Sequence, residues 1–264
     1  MVDITQRLST LRVTEAGKKD IDDVVVTEFP LTIILNNREL VTLLCSPAGL
    51  KYLAIGFLFS EGFIRSKDEI RKIIVDDLRG VVRVETEKGD ESIDELVFKR
   101  FITSGCGRGA SFYSAADVQD QARIESQIVI SADEVFALVN EFQHNSEVYL
   151  ATHGVHSAAL CDRQSISVFH DDIGRHNAVD KVFGECLLRD ISTDDRIIIT
   201  SGRISSEILL KVAKGKIPII ISKTAPTNLG VKLAADLGVT LIGFVRGRRM
   251  NVYSHGWRVV AGGK

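Results

Sequence analysis

Three apolar runs decide the fold of this chain: Arg196-Ile-Ile-Ile-Thr200, Ile217-Pro-Ile-Ile-Ile-Ser222 and Val239-Thr-Leu-Ile-Gly-Phe-Val245. Each run is short, rich in β-branched residues and apolar on both faces, which is typical of a strand covered on both sides. The intervals between them, Ser205 to Val212 and Asn228 to Leu237, have helical patterns. Such strands alternating with helices predict a mainly parallel sheet with helices on each side, which is an α/β layered domain.

The same domain extends toward the N-terminus, and we place it at residues 128–264. Its earlier predicted elements are a short strand that leads through a serine–glutamate capping box into a helix, then a hairpin, then a second helix: Ile128 to Glu134, Ser157 to Phe169, and His176 to Leu188. The pattern contains no internal repeat, so we expect one α/β domain here.

A small α+β domain is predicted before it, at residues 23–102. Asn36-Asn37 is a turn signal between two predicted strands, so this region is expected to contain a hairpin. Ser46-Pro47 is predicted to open a helix, with the serine as its cap and the proline in its first turn. Two further segments are interpreted as a polar leader and as a glycine-rich active-site loop with its connector: residues 1–22 and 103–127.

Composition excludes several classes of protein. The chain has 264 residues, 45% of them hydrophobic and 26% charged, and its net charge of −2 gives no reason to expect nucleic-acid or membrane binding. No apolar stretch approaches the roughly 20 residues of a membrane span, and the first residues do not resemble a secretory signal. Four scattered cysteines are too few for a disulfide scaffold, so we expect a cytoplasmic protein with reduced thiols.

The run Thr103-Ser-Gly-Cys-Gly-Arg-Gly-Ala110 contains the candidate nucleophile, Cys106. Glycines flank the sulfur on both sides, whereas a buried structural cysteine is usually surrounded by apolar residues. The nearby cation of Arg108 favours the thiolate, which is the reactive form. The other three cysteines lie in apolar patterns and are expected in the core: Cys45, Cys161 and Cys186.

Three predicted loops are polar and rich in glycine or serine where strands end: Thr200 to Glu207, Ser222 to Asn228, and Phe244 to Arg249. Ligands of open α/β sheets bind beyond the carboxyl ends of the strands, where helix N-termini offer free N–H groups. The loops are predicted to bring five cations to one rim: Arg203, Lys223, Arg246, Arg248 and Arg249. Arginine suits phosphate, so we expect a phosphate-bearing ligand there. The alternative is that these residues are solvated loop charges.

Two further clusters contain histidine. The densest polar run of the chain, Asp171 to Lys181, lies between a predicted strand and a predicted helix. One interpretation is that this run faces the same rim. The alternative is that Asn177 and Asp180 cap the start of the predicted helix. His153 and His156 are three residues apart with no neighbouring cysteine pair, so no metal site is predicted.

Four runs resemble the formate dehydrogenase accessory sulfurtransferases, the FdhD/NarQ family: Thr-Ser-Gly-Cys-Gly (103–107), Asp-Ile-Gly-Arg-His-Asn-Ala-Val-Asp-Lys (172–181), Thr-Ser-Gly-Arg-Ile-Ser-Ser-Glu (200–207) and Phe-Val-Arg-Gly-Arg-Arg-Met-Asn (244–251). They occur in the family's order, and the resemblance spans roughly residues 24–255. It implies a cytidine-deaminase-like three-layer α/β/α domain without the deaminase zinc site, preceded by a small α+β domain. It also implies a homodimer.

The resemblance implies a sulfurtransferase. A cysteine desulfurase loads a persulfide onto the cysteine that matches Cys106, and the sulfur passes to a molybdenum cofactor with two molybdopterin guanine dinucleotides, which then enters formate dehydrogenase. The resemblance also implies that the protein has no metal of its own. The segment that matches the family's cofactor contact is Phe244, Val245, Arg246, Gly247, Arg248 and Arg249, and we add Ser201, Gly202 and Arg203 from the rim.

One position departs from the family pattern. Members often have Cys-x-x-Cys in the loop, and here the second position is Gly109. Either one cysteine suffices to carry sulfur, or the protein is a degenerate paralogue.

Two other functions stay open: a non-catalytic chaperone that binds the cofactor and for which Cys106 is dispensable, and a nucleoside deaminase. The deaminase needs a zinc-binding cysteine pair that the sequence lacks.

Overall fold

The computed structural model describes residues 2–87, 101–102, 110–111 and 123–261. Cys106, Arg108 and Gly109 lie outside the described residues, as does most of the expected connector. The helices are α1 (Leu50–Glu61), α2 (Ala132–His144), α3 (Glu147–Thr152), α4 (Arg175–Leu188), α5 (Ser206–Lys214) and α6 (Asn228–Leu237). The strands are β1 (Thr5–Thr14), β2 (Gly17–Val26), β3 (Phe29–Leu35), β4 (Arg38–Cys45), β5 (Ile70–Asp76), β6 (Val81–Thr86), β7 (Phe101–Ile102), β8 (Ala110–Ser111), β9 (Ile130–Ser131), β10 (His156–Cys161), β11 (Ile166–Asp172), β12 (Ile197–Thr200), β13 (Ile219–Ser222), β14 (Thr240–Arg246), β15 (Arg249–Val252) and β16 (Val259–Val260).

The largest sheet has six strands in the order β11-β10-β12-β13-β14-β15. Only β12, β13 and β14 are mutually parallel, and β10, β11 and β15 pair antiparallel to their neighbours. The prediction of a mainly parallel sheet therefore holds for the three central strands alone. Helices α5 and α6 provide the crossovers that parallel strands need, whereas short turns close the β10–β11 and β14–β15 hairpins antiparallel.

Helices cover both faces of this sheet. Ile198, Ile220 and Leu241 pack in one core with α4, α5 and α6. Their sequence neighbours point to the opposite face, where Ile197 and Ile219 pack with α2. This arrangement explains why the strands are apolar on both faces, and it confirms the three-layer α/β/α domain.

The small α+β domain consists of a four-stranded sheet, ordered β4-β3-β6-β5, with α1 packed on it. The Asn36-Asn37 turn is confirmed, and both residues have positive φ, 46° and 65°. The predicted helix start at Ser46-Pro47 is wrong, because α1 begins at Leu50 with Gly49 as its N-cap. Ser46 is instead buried, and its N–H donates to Asp172 Oδ2 at 3.1 Å.

Helices α1 and α4 cross in backbone contact at two glycines. A Cβ on Gly56 would lie 1.7 Å from the carbonyl oxygen of Asp180, and a Cβ on Gly184 would lie 1.9 Å from that of Tyr52. Any larger residue at either position therefore forces the helices apart. The small domain and the α/β domain meet through this crossing.

Buried ion pairs surround the crossing. Lys181 Nζ lies 2.6 Å from Asp172 Oδ2, and both side chains are fully buried. Lys211 Nζ lies 2.6 Å from Asp180 Oδ2, and the hydroxyl of Ser60 donates to Asp180 Oδ1 at 2.6 Å. Much of the polar run 171–181 therefore stabilises contacts between elements. Neither Asn177 nor Asp180 caps α4, whose N-cap is Gly174.

Residues 5–26, most of which we interpreted as a polar leader, form a two-stranded antiparallel ribbon of β1 and β2. None of its residues is buried. Because neither face meets a core, hydrophobic alternation is weak and the sequence pattern does not indicate strands. The base of the ribbon contacts α3.

Candidate functional site

A cavity of about 700 Å³ opens where the central strands end. The carboxyl ends of β12, β13 and β14 share one edge of the sheet because these strands are parallel. The antiparallel strand β10 begins at the same edge, since Ala158 pairs with Thr200, and β11 ends there. Helices α2 and α3 close the cavity from one side. This is the edge at which the sequence predicts a ligand.

One wall of the cavity is cationic. Lys223 follows β13, Arg246 ends β14, and both line the cavity. Burial, together with the nearby charge of Arg246, lowers the pKa of Lys223. Neither cation forms an ion pair with an acidic residue in the described part of the chain. Two neighbouring cations without carboxylate partners suit an anionic ligand such as phosphate.

The structure divides the predicted cofactor residues into two groups. Those that line the cavity are Ser201, Val245, Arg246 and Gly247. Those that do not are Gly202, Arg203, Phe244, Arg248 and Arg249. The chain reverses at Gly247, whose φ is +58°, and enters β15, so Arg248 turns away and pairs with Asp133. The Phe244 ring contacts the Arg246 guanidinium, with its centroid 5.6 Å from Cζ.

The opposite wall was not predicted as part of a site. It comprises Ser146, Tyr149, His153, His156 and Ser157. The rings of Tyr149 and His153 meet edge to face at 5.0 Å. The two histidines attracted attention in the sequence only as metal ligands, and the described residues contain no group of three metal-ligating side chains. These residues are brought together by the order of the strands in the sheet, and the sequence does not reveal that order.

His156 is held in its uncharged form. Burial lowers its pKa, and the nearby charges of Arg175 and His176 lower it further. Its Nδ1 lies 3.2 Å from the hydroxyl oxygen of Ser201, which also accepts the N–H of Ser157 at 2.9 Å. A neutral imidazole therefore faces the cavity at neutral pH.

Two serines share one carboxylate behind the wall. The hydroxyl of Ser146 donates to Asp171 Oδ2 at 2.6 Å, and that of Ser157 donates to Asp171 Oδ1 at 2.6 Å. Ser146 also caps α3 by accepting the N–H of Tyr149 at 2.9 Å. The wall is thus fixed from behind by hydrogen bonds.

Three of the four cysteines are unsuited to nucleophilic chemistry. Burial raises the pKa of Cys45 and of Cys186 to about 12 in each case, and it raises the pKa of Cys161 as well. All three therefore stay protonated at neutral pH, and the thiol is the unreactive form. The expectation that these cysteines belong to the core is confirmed.

Protein stability should fall at acidic pH because of three histidines. Burial lowers the pKa of His156, His170 and His176 below 6.5. The unfolded chain then takes up protons that the folded protein does not, so stability present above pH 6.5 is lost as the pH falls toward the lowered values. Each histidine contributes at most about 1.4 kcal/mol per pH unit.

Urea unfolding across this range measures the effect. His170→Gln should flatten the dependence on pH, since the proton acceptor is gone. His144 is exposed, so His144→Gln should leave the profile unchanged. A slope that is the same in wild type and His170→Gln would contradict the assignment.

Comparisons with known proteins agree on one family. A sequence model of the FdhD/NarQ family matches residues 26–260. The chain is 47% identical over 240 residues to a Bacillus subtilis protein named sulfur carrier protein FdhD, and the aligned region covers 90% of this chain and 91% of that protein. A Staphylococcus aureus protein of the same name is 43% identical over 238 residues, and the aligned region covers 90% of each chain.

A solved structure is similar over almost the whole chain. It is a crystal structure from Desulfotalea psychrophila, described as that of a formate dehydrogenase accessory protein. The TM-score is 0.82 at 30% sequence identity, and the match covers 98% of this chain and 100% of the other. In the described part of this chain, none of the helices is both long and apolar enough to cross a membrane.

Proposed function

This chain belongs to the FdhD/NarQ family, and on that basis we propose that it is a sulfur carrier, a sulfurtransferase that serves formate dehydrogenase. Cys106 receives sulfur from a cysteine desulfurase as a persulfide. The sulfur then passes to a molybdenum cofactor with two molybdopterin guanine dinucleotides, before that cofactor enters formate dehydrogenase. We further propose that the protein acts in the cytoplasm as a homodimer.

The observation that carries the proposal is the state of the other cysteines. Sulfur carriage needs a thiolate, and burial keeps Cys45, Cys161 and Cys186 protonated. Cys106 is the remaining cysteine of the chain, and it alone has a glycine on each side, with Arg108 two residues away. It is the residue best suited to accept sulfur.

Loading is a thiol–persulfide exchange without net oxidation. The Cys106 thiolate attacks the outer sulfur of the donor persulfide, a new S–S bond forms, and the desulfurase cysteine leaves as thiolate. Release of that sulfur as sulfide takes two electrons. Because Gly109 leaves the loop without a second thiol, an external pair of thiols supplies them and becomes a disulfide.

The cavity is the proposed place of the client cofactor. Lys223 and Arg246 offer charge-assisted hydrogen bonds to the phosphates of a guanine dinucleotide. A volume of about 700 Å³ is within the usual range for small-molecule sites. The nucleoside then contacts the opposite wall, with its serines and aromatic rings.

Mass spectrometry tests the loading step. After incubation with cysteine and a cysteine desulfurase, the wild-type protein should gain one sulfur atom that a reductant removes. Cys106→Ala should gain none, because no other thiol ionises readily. Cys186→Ala is the matched control and should still be loaded, since its thiol is buried. Absence of the adduct from the wild type would end the proposal.

A further inference from the structure

The ribbon of β1 and β2 has no role in the proposed chemistry. It lies almost entirely ahead of residues 26–260, which match the family model. Its two strands pair over ten residues each, yet neither contains a buried residue. An isolated two-stranded hairpin is at best marginally stable in water, so we expect a ribbon of this length to pack against a partner.

The two faces of the ribbon differ in their surroundings, since side chains alternate between the faces along each strand. At the base, Val26 packs beside α3, because a Cβ on Gly154 would lie 2.9 Å from Val26 Cγ1. The face that carries Val26 is therefore turned toward the α/β domain. The opposite face is called the outer face here, and the register of the strands places on it Leu8, Thr10, Arg12, Lys19, Ile21 and Asp23.

The charges that β2 contributes to the outer face are symmetric about Ile21. Lys19 lies two residues toward the tip of the ribbon, and Asp23 lies two residues toward its base. A two-fold axis that passes through Ile21, across the strands, would place Lys19 of one copy against Asp23 of a second copy. A two-fold contact uses the same patch on both copies, so this ion pair would form twice.

Strand β1 has the same symmetry on this face. Thr10 pairs with Ile21, so the axis also passes through Thr10 and places Leu8 of one copy against Arg12 of the other. Leu8 is 43% exposed, and the stem of an arginine covers apolar surface well. Within one ribbon Arg12 Nη2 lies 3.9 Å from Asp23 Oδ2, and these side chains are 59% and 47% exposed. Both therefore keep surface for a partner.

The inner face does not have this complementarity. Asp20 and Asp22 lie on it, one on each side of Ile21 in sequence. The same axis would place Asp20 of one copy against Asp22 of the other, and like charges that face each other across an interface are destabilising. Self-association through the ribbon thus favours the outer face.

We propose that the ribbon is a dimerisation arm, and that the outer faces of two ribbons pack on each other in antiparallel orientation to join two copies of this chain. The inference rests on the homodimer of the proposed function and assigns its interface. Thr10 and Ile21 lie at the centre of the contact, and the ion pairs of Lys19 with Asp23 lie on either side of it.

Analytical ultracentrifugation of the full-length protein tests the apolar part of this contact. Leu8→Asp should raise the dissociation constant of the dimer by about tenfold or more, because each interface receives two unpaired carboxylates. Leu11→Asp is the matched control and should leave the constant unchanged, since Leu11 is 53% exposed on the inner face. Both leucines pair with an aspartate across the ribbon, so the local cost of the two substitutions is the same.

Charge reversal tests the ion pair itself. Lys19→Asp and Asp23→Lys each place like charges together across the axis, so each should weaken the dimer several-fold. The double variant restores opposite charges between the two copies and should recover most of the wild-type affinity. Circular dichroism confirms that each variant is folded, and the ribbon lies outside the hydrophobic cores of both domains.

The outcomes separate this inference from the proposed homodimer. A dimer with the same dissociation constant in Leu8→Asp and wild type overturns the inference and leaves the homodimer standing; the ribbon then has another occupant, such as the client enzyme. A double variant as weak as the two single variants also overturns it. If wild type sediments as a monomer at every concentration tested, both the inference and the homodimer are wrong. Loading of Cys106 is judged by its own experiment.

Discussion

We expect Cys106→Ala to abolish the activation of formate dehydrogenase, so that the enzyme activity of the cell falls to the level found without this protein. The Cys106 thiol is the proposed bond-forming group, and none of the three described cysteines ionises near neutral pH. The measurement is formate dehydrogenase activity in a strain that lacks the endogenous carrier and expresses each variant. Equal expression of the variants is checked by immunoblot.

The same assay separates a sulfur carrier from a chaperone that only binds the cofactor. A chaperone keeps its activity in Cys106→Ala and loses it in Arg246→Ala, whereas a carrier loses activity in both. Arg248→Ala is the matched comparison, because Arg248 is 80% exposed and pairs with Asp133 away from the cavity. We expect Arg248→Ala to lose less activity than Arg246→Ala. Full activity in Cys106→Ala would establish the chaperone.

Gly184→Ala should destabilise the protein by about 3 kcal/mol or more, which is the upper end of the cost of overpacking. The added methyl group would lie 1.9 Å from the carbonyl oxygen of Tyr52. A backbone carbonyl in a helix cannot rotate away as a side chain does, so α1 and α4 must separate. The gain in helix propensity from glycine to alanine, about 1 kcal/mol, does not offset this cost.

Urea unfolding of Gly184→Ala measures the loss. Gly256→Ala is the control, because the nearest atom to its added Cβ is a Val252 methyl carbon at 3.9 Å. Gly56→Ala should behave like Gly184→Ala, since it meets the same helix pair from the other side. A Gly184→Ala midpoint equal to that of wild type would show that the helices are free to move apart.

Local patterns predicted much of the α/β domain. Helix α6 begins at Asn228 and ends at Leu237 as predicted, and the capping box of Ser131 and Glu134 is formed in both directions. These features depend on residues close together in sequence, so their physics is visible there. The start of α1 was missed for the opposite reason. Ser46 satisfies the local rule for a helix cap, but it is buried against Asp172, which is 126 residues away.

The candidate site was only half predictable. The rule for strand ends in parallel sheets predicted five cations at this edge. Two of them, Lys223 and Arg246, line the cavity, and the other three, Arg203, Arg248 and Arg249, do not. The opposite wall of the cavity, which contains Ser157, depends on β10 running antiparallel to β12. This places Ser157 beside Ser201, and apolar periodicity does not indicate strand direction. The run Asp172 to Lys181 also shows that a cluster of charged residues does not by itself indicate a functional site. Buried ion pairs and reactive groups use the same residue types.

The crossing of α1 and α4 limits how this molecule moves. Hinge closure of two domains requires an interface that slides or opens, and interfaces of packed side chains permit small shifts of that kind. Here the backbones touch at Gly56 and Gly184, and buried Asp180 and Asp172 would lose the hydrogen bonds from Ser60 and Ser46 if the helices separated. We therefore expect the two domains to move together. We expect any rearrangement that admits the proposed sulfur donor or cofactor to take place in segments outside this crossing, with α1 and α4 as a fixed frame.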